Sequence, residues 1–93
     1  MVRNVGPVFV NLLPETLEVN VQLYSILREK LPAEARGRTT LHLETGTTLT
    51  DIIELFEIKR SVVIGVNGAY ERDHSHPLQD GDEVKIFSAV SGG

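Results

Sequence analysis

Alternation of apolar and polar side chains is the clearest pattern in the first half of the chain. Over eight positions the two kinds of residue alternate strictly, and the apolar set is Leu17, Val19, Val21 and Leu23. Successive side chains of a β-strand point to opposite faces, so this alternation predicts a half-buried strand over residues 17–24. Residues 25–31 then change to a helix-like composition, which Pro32 ends.

Helical spacing replaces alternation in the middle of the chain. Positions i, i+3, i+4 and i+7 of one segment are apolar: Leu49, Ile52, Ile53 and Phe56. This stripe predicts the main helix, from residue 49 to residue 57, with one face packed on a sheet. Thr48, followed three residues later by Asp51, is typical of a helix N-cap with an acidic partner in the first turn.

Short apolar segments separated by turn residues predict the other strands, over 39–43, 62–66, 70–71 and 83–87. Asn67-Gly68 is a strong tight-turn pattern, and Asp80-Gly81-Asp82 introduces the final strand. The order of elements indicates an α+β roll, a mixed sheet with one main helix on one face. We divide the chain into a loose or edge-packed extension (1–16), the α+β domain (17–87) and a flexible tail (88–93).

One face of this predicted sheet has no helix to cover it. In the final strand, Lys85 and Phe87 lie on the face opposite the apolar pair that enters the core. Tyr24 and Tyr70 are expected on the same open side. Single exposed aromatic residues are common, but three of them near Arg28 are typical of a partner-binding surface.

The chain ends in Ser91-Gly92-Gly93. Glycine lacks Cβ, so such a tail can enter passages that are closed to other residues. Six residues from Ser88 onward, if extended, reach at most about 20 Å from the last strand. We therefore expect the tail to present the Gly93 carboxylate to the active site of another protein.

Composition excludes several classes of function. The 93 residues fit one domain, and the absence of cysteine excludes disulfides, thiolate metal sites and iron–sulfur clusters. A net charge of −4 without a basic stripe argues against a nucleic-acid binder. No apolar run approaches a membrane span and no secretory signal is evident, so we expect a soluble cytoplasmic protein.

Histidine and aspartate cluster in one short segment, residues 73–76. Two histidines at i, i+2 beside a carboxylate could hold a surface metal weakly, whereas neighbours in a turn cannot form a catalytic triad. We favour a solvated loop there and predict no metal site. His42 is expected on the solvent side of its strand.

In their order, several segments resemble the C-terminal half of the ubiquitin-like sulfur carriers of the MoaD/ThiS family. These segments are Val66-Asn67, residues 77–84, Phe87 and Val90-Ser91-Gly92-Gly93. Residues 24–29 resemble the molybdopterin branch, the small subunit of molybdopterin synthase. Two features depart from the family: Ser88-Ala89 stands where these carriers often have two prolines, and residues 1–16 exceed the usual start.

The resemblance implies a β-grasp fold and a chain that is not catalytic alone. It implies that an ATP-dependent activating enzyme, using ATP and Mg²⁺, adenylates the Gly93 carboxylate, and that sulfur then replaces AMP to give a thiocarboxylate. The acceptor would be a precursor pterin in the molybdopterin synthase large subunit. No cofactor is expected to stay bound. By position, the residues expected to contact partners are Tyr24, Arg28, Tyr70, Phe87, Val90, Ser91 and Gly92.

Three alternatives stay open at this point. A sibling carrier could supply sulfur for thiamine, cysteine or tRNA thiolation, because the tail is common to all of these. A ubiquitin-like modifier would be conjugated through Gly93 to lysines. A plain β-grasp interaction module would carry its two glycines by accident.

Overall fold

The computed structural model describes residues 16–89. The strands and the helix, in chain order, are β1 (Thr16–Leu23), β2 (Arg38–Glu44), α1 (Leu49–Leu55), β3 (Val62–Val66), β4 (Ala69–Glu71) and β5 (Glu83–Ser88). Two short 3₁₀ helices, Ser25–Lys30 and Ala33–Ala35, connect β1 to β2. Of the extension predicted for residues 1–16, only Thr16 is described, and it belongs to β1. No helix within residues 16–89 is long and apolar enough to cross a membrane.

The five strands form one mixed sheet in the order β2-β1-β5-β3-β4. β1 pairs antiparallel with β2 and parallel with β5, and β5 pairs antiparallel with β3. The last strand of the described chain therefore lies at the centre of the sheet. This is the α+β, β-grasp arrangement that the resemblance implies.

The helix-covered face of the sheet carries the core. Most of its buried side chains come from β1, β3, β5 and α1, and the least exposed of them are Val19, Leu23, Leu49, Ile52, Ile64, Val84 and Ile86. The predicted alternation of β1 is confirmed, because its odd-numbered residues from 19 to 23 are buried. Burying each large aliphatic side chain contributes roughly 1.5–3 kcal/mol to stability.

The predicted capping residues begin α1. The Asp51 backbone N–H donates to Thr48 Oγ1 at 3.3 Å, and the Thr48 N–H donates to Asp51 Oδ2 at 2.9 Å. These reciprocal bonds satisfy two N–H groups that the first helical turn leaves without partners.

The helix ends at Leu55, two residues before the predicted end. Glu57 has a φ of +56°, which turns the chain out of the helix. The Ile58 N–H then donates to the Ile53 carbonyl at 3.0 Å, and the buried Ile58 seals the end of the helix. This is a Schellman closure with glutamate at the position that glycine usually takes, so the sequence gives no warning of it.

A buried carboxylate joins the β3–β4 turn to the start of β5. Asp82 is 6% exposed; it accepts from Asn67 Nδ2 at 2.9 Å and from the Gln79 N–H at 2.8 Å. Asn67 Oδ1 in turn accepts from the Glu83 N–H at 2.9 Å. The Asn67-Gly68 turn predicted from the sequence is therefore also joined by hydrogen bonds to the start of β5.

Gly37 forms the tight entry into β2. Its φ is +80°, and a Cβ at this position would lie 2.4 Å from the Leu23 carbonyl oxygen and 2.9 Å from Arg28 Cγ. The Leu23 N–H donates to the Gly37 carbonyl at 2.6 Å. Only glycine combines this backbone conformation with so close an approach.

Removing the Asp82 carboxylate should destabilise the fold. Asp82→Ala removes the charged acceptor of the Gln79 N–H and the Asn67 amide, and a hydrogen bond to a charged group contributes about 1.5–3 kcal/mol. Urea unfolding followed by circular dichroism measures the loss. Glu54→Ala, on the exposed side of α1, is the control and should change the free energy of unfolding by less than about 0.5 kcal/mol. Similar values for both variants would contradict the role given to Asp82.

A pair of glycine variants should separate backbone strain from crowding. Gly46 has a φ of +98° and nothing within 4 Å of an added Cβ, so Gly46→Ala should cost only the roughly 1–2 kcal/mol of a left-handed residue. Gly37→Ala carries the same strain plus the clash with Leu23, and overpacking typically adds about 1–3 kcal/mol. Thermal unfolding compares the two, and equal losses would show that the close approach at Gly37 is unimportant.

Candidate functional site

The open face is the side of the sheet that α1 does not cover. The strand registers place the following side chains on it: Glu18, Asn20, Gln22, Arg38, Thr40, His42, Val63, Tyr70, Glu83, Lys85 and Phe87. All are exposed except Gln22, which is half-buried. The alternation that buries one side of each strand therefore leaves a wide, mostly polar surface on the other side.

Tyr24 and Phe87 form a stacked pair at one end of the open face. Their ring centroids are 4.3 Å apart and their planes differ by 14°. The Tyr24 N–H donates to the Ile86 carbonyl at 3.1 Å, so Tyr24 continues the parallel pairing of β1 with β5. Phe87 is still 38% exposed. The pair is a preassembled aromatic surface of the kind that protein interfaces favour.

Tyr70 shares the face but not the stack. It pairs with Gly65 of β3, which pairs with Lys85 of β5, so Tyr70 lies two strands away from β5. Its ring is 61% exposed, and the Arg72 guanidinium carbon lies 5.6 Å from the ring centroid. The three predicted aromatic residues thus form a stacked pair and a separate tyrosine rather than one cluster.

Arg28 lies beside the stacked pair, on the first 3₁₀ helix. The stem of its side chain passes over Gly37. Arg28 lines a surface groove together with Tyr24, Arg36 and Arg38. Arg36 and Arg38 were not predicted from the sequence as partner-binding residues. Their spacing around Gly37 was visible, but the left-handed turn that brings them next to Arg28 was not.

Hydrogen bonds hold the base of the tail, residues 88 and 89. The Ala89 N–H donates to the Ser61 carbonyl at 3.0 Å, and Arg60 Nη1 donates to Ser88 Oγ at 3.3 Å. The first bond extends the pairing of Val62 with Ser88. A proline at position 89 has no N–H and could not make it. The departure from the two family prolines therefore coincides with an added backbone contact.

The predicted tail residues Val90, Ser91, Gly92 and Gly93 lie outside the described residues, so their roles stay predictions. The structure does describe the residue that precedes them. Ala89, the last described residue, follows the centre strand two positions after Phe87. The described chain therefore ends two positions after Phe87 of the stacked aromatic pair.

The segment 73–76 is a hydrogen-bonded loop. Asp73 Oδ1 accepts from Ser75 Oγ at 2.5 Å and from the Ser75 N–H at 3.0 Å, and these two bonds hold the pKa of Asp73 below its usual value. His76 Nδ1 lies 3.4 Å from Glu71 Oε1. Residues 16–89 contain no group of three or more ligating side chains placed to hold a metal ion. His42 is exposed, as predicted, with Nε2 3.9 Å from Glu18 Oε1.

Solved structures with the same fold include a molybdopterin converting factor subunit and SAMP1. A candidate subunit 1 of molybdopterin converting factor from Pyrococcus furiosus is 23% identical, with a TM-score of 0.65 over 80% of this chain and 99% of that one. SAMP1 from Haloferax volcanii is 17% identical, with a TM-score of 0.60 over 82% of this chain and 99% of that one. At these identities the likeness establishes the β-grasp fold.

A third similar structure is a protein–protein complex. In the complex of subunits 1 and 2 of molybdopterin-converting factor from Helicobacter pylori, the matched chain is 18% identical, with a TM-score of 0.52 over 83% of this chain and all of that one. A comparison with curated proteins by sequence gave no match.

The match to a family model covers most of the domain and the tail. It runs from residue 21 to residue 93 and so includes β1 from Val21 onward, the helix, the centre strand and both terminal glycines. This match agrees with the fold and with the resemblance found in the sequence. The chain belongs to the ThiS family.

Proposed function

We propose that this protein is a sulfur carrier whose Gly93 carboxylate is converted to a thiocarboxylate and then donates its sulfur. The observation that carries the proposal is the position of the tail, which starts at the centre strand, beside the stacked pair of Tyr24 and Phe87. A partner that docks on this pair is close to the point where the tail begins. Membership of the ThiS family supports the same role.

The chemistry follows from the properties of a carboxylate. At neutral pH the ionised group is a poor electrophile, so one Gly93 oxygen first attacks the α-phosphate of ATP and pyrophosphate leaves. A sulfur nucleophile then attacks the carbonyl carbon of the acyl adenylate, AMP leaves, and a thiocarboxylate results. Mg²⁺, ATP and the proton-transferring groups belong to the activating enzyme. This chain supplies the reacting carboxyl group and the surface that positions it.

The leading candidate for the pathway is molybdenum cofactor biosynthesis. Residues 24–29 resemble the molybdopterin branch, and two of the similar structures bear the name molybdopterin converting factor. Under this proposal the large subunit of molybdopterin synthase holds the precursor pterin and receives the sulfur. Tyr24, Arg28 and Phe87 contact the partners near the tail, and Tyr70 contacts them at the far side of the open face.

A protein-modifier role is the second candidate. The likeness to SAMP1, whose full name includes the words small archaeal modifier protein, favours it. A modifier would use the same activated Gly93 but would transfer its acyl group to a lysine amine. The product would then be an isopeptide instead of a thiocarboxylate.

Sulfur loading should change the mass of the intact protein. Incubation with an activating enzyme, ATP, Mg²⁺ and a sulfur source should add roughly 16 Da, and the chain has no cysteine that could take up sulfur instead. Intact-mass spectrometry measures the shift. Deletion of Gly93 should abolish it without lowering the free energy of unfolding. Sulfur donation by the deleted form would refute the proposal, and lysine isopeptides without a thiocarboxylate would favour the modifier.

Charge placed in the aromatic pair should weaken partner binding. Phe87→Glu puts a carboxylate into the stacked pair, and losing such an interface residue typically costs about 1–2 kcal/mol or more of binding. Leu55→Glu is the matched control, because Leu55 is 55% exposed on the helix side of the domain. Isothermal titration calorimetry with the activating enzyme compares them. Equal affinities for the two variants would place the interface elsewhere.

A further inference from the structure

A groove beside the stacked pair is lined by three arginines and by no carboxylate. Its polar lining residues are Gln22, Tyr24, Ser25, Arg28, Arg36 and Arg38, and we call it the arginine groove. In the parallel register of β1 and β5, Gln22 is paired with Lys85, which adds a fourth cation nearby. This concentration of positive charge stands out in a chain whose net charge is −4.

Two of the three arginines are held in place. The stem of Arg28 lies over Gly37, where an added Cβ would come within 2.9 Å of Arg28 Cγ. Arg38 Nε donates to Gln22 Oε1 at 2.7 Å, and Gln22 Nε2 donates to the Arg36 carbonyl at 3.5 Å. Gln22 thus fixes the Arg38 guanidinium and the Arg36 backbone with a neutral group. Less side-chain entropy is lost when a ligand meets a guanidinium that is already fixed.

The charges of these arginines are not neutralised within the described part of the chain. Among residues 16–89, carboxylates form ion pairs within 4 Å only with His42 and His76. Arg38 donates from Nε to the neutral Gln22, and its two Nη atoms make no hydrogen bond within residues 16–89. Within residues 16–89 the groove therefore has positive charge that no carboxylate neutralises.

We propose that the arginine groove binds the carboxylates of an acidic segment on the protein that docks at the stacked aromatic pair. Tyr24 belongs both to the groove and to the pair, so the two form one continuous surface. Planar guanidinium groups match carboxylates in a two-bond geometry. The net charge of −4 disfavours a long polyanion such as a nucleic acid, whose phosphates would also approach the acidic remainder of the domain.

The distribution of charge on the open face also favours one orientation of the docked partner. On the open face the carboxylates Glu18 and Glu83 lie toward the opposite ends of β1 and β5 from Tyr24 and Phe87. A partner with acidic residues next to its apolar contact is attracted in one orientation and repelled in the reversed one. This inference rests on the proposed function only for the identity of the partner.

Binding to the groove is tested on the full chain with a hexaglutamate peptide. Nuclear magnetic resonance should show shifts of the arginine Nε signals at low salt that weaken as salt increases. Arg36→Gln and Arg38→Gln should each weaken binding about twofold to fivefold. Lys59→Gln removes the same charge outside this groove and should leave the affinity unchanged. Absence of shifts, equal effects of all three variants, or tighter binding of a single-stranded oligonucleotide of equal charge would overturn the proposal.

Loading kinetics separate this inference from the proposed function. With the activating enzyme, Arg38→Gln should raise the KM for the carrier about twofold to fivefold, leave kcat unchanged, and lose its effect at high salt. The form lacking Gly93 should fail to load but still bind hexaglutamate. Loading that is insensitive to the arginine variants would remove the groove proposal and leave the sulfur carrier. Peptide binding without any loading of the wild-type chain would remove the sulfur-carrier proposal and leave the groove.

Discussion

The parallel pairing of β1 with β5 is the constraint on which the rest of the structure depends. It sets Val21 beside Val84 and Leu23 beside Ile86 in the core. A shift of one residue would turn these side chains to solvent and move the polar set into the core. The same register brings Tyr24 next to Phe87 on the other side of the sheet. Stability and the proposed interface are therefore fixed by one set of backbone hydrogen bonds.

The two faces of the sheet have different roles, one in stability and the other in the proposed binding. The helix-covered face holds almost all of the buried apolar side chains, whereas the open face is left to polar groups, the aromatic pair and the arginine groove. A substitution on the open face can thus change binding without opening the core. Gly37, which precedes β2, affects both, because it lies under Arg28 and also fits tightly against the Leu23 carbonyl.

Periodicity was enough to predict the elements but not their arrangement. Alternation located β1, the helical stripe with Thr48 and Asp51 located the start of α1, and Asn67-Gly68 located the β3–β4 turn. The paired residues of the parallel neighbours β1 and β5, such as Asn20 and Glu83, are 63 positions apart in the chain. No local pattern encodes that pairing, and it came from the resemblance alone. The end of α1 was missed because Glu57 takes a left-handed conformation usually given to glycine. The arginine groove was missed because it depends on the turn at Arg36.

The central strand β5 is also the last described strand to be synthesised, so its position affects when the sheet can form. Before β5 has been synthesised, β1 and β3 have no strand between them, so the five-stranded sheet cannot close. Closure of the sheet waits for the segment that directly precedes the tail. A folded copy is therefore one whose translation has passed residue 88, so partners that recognise the closed sheet do not engage nascent chains that stop short of it.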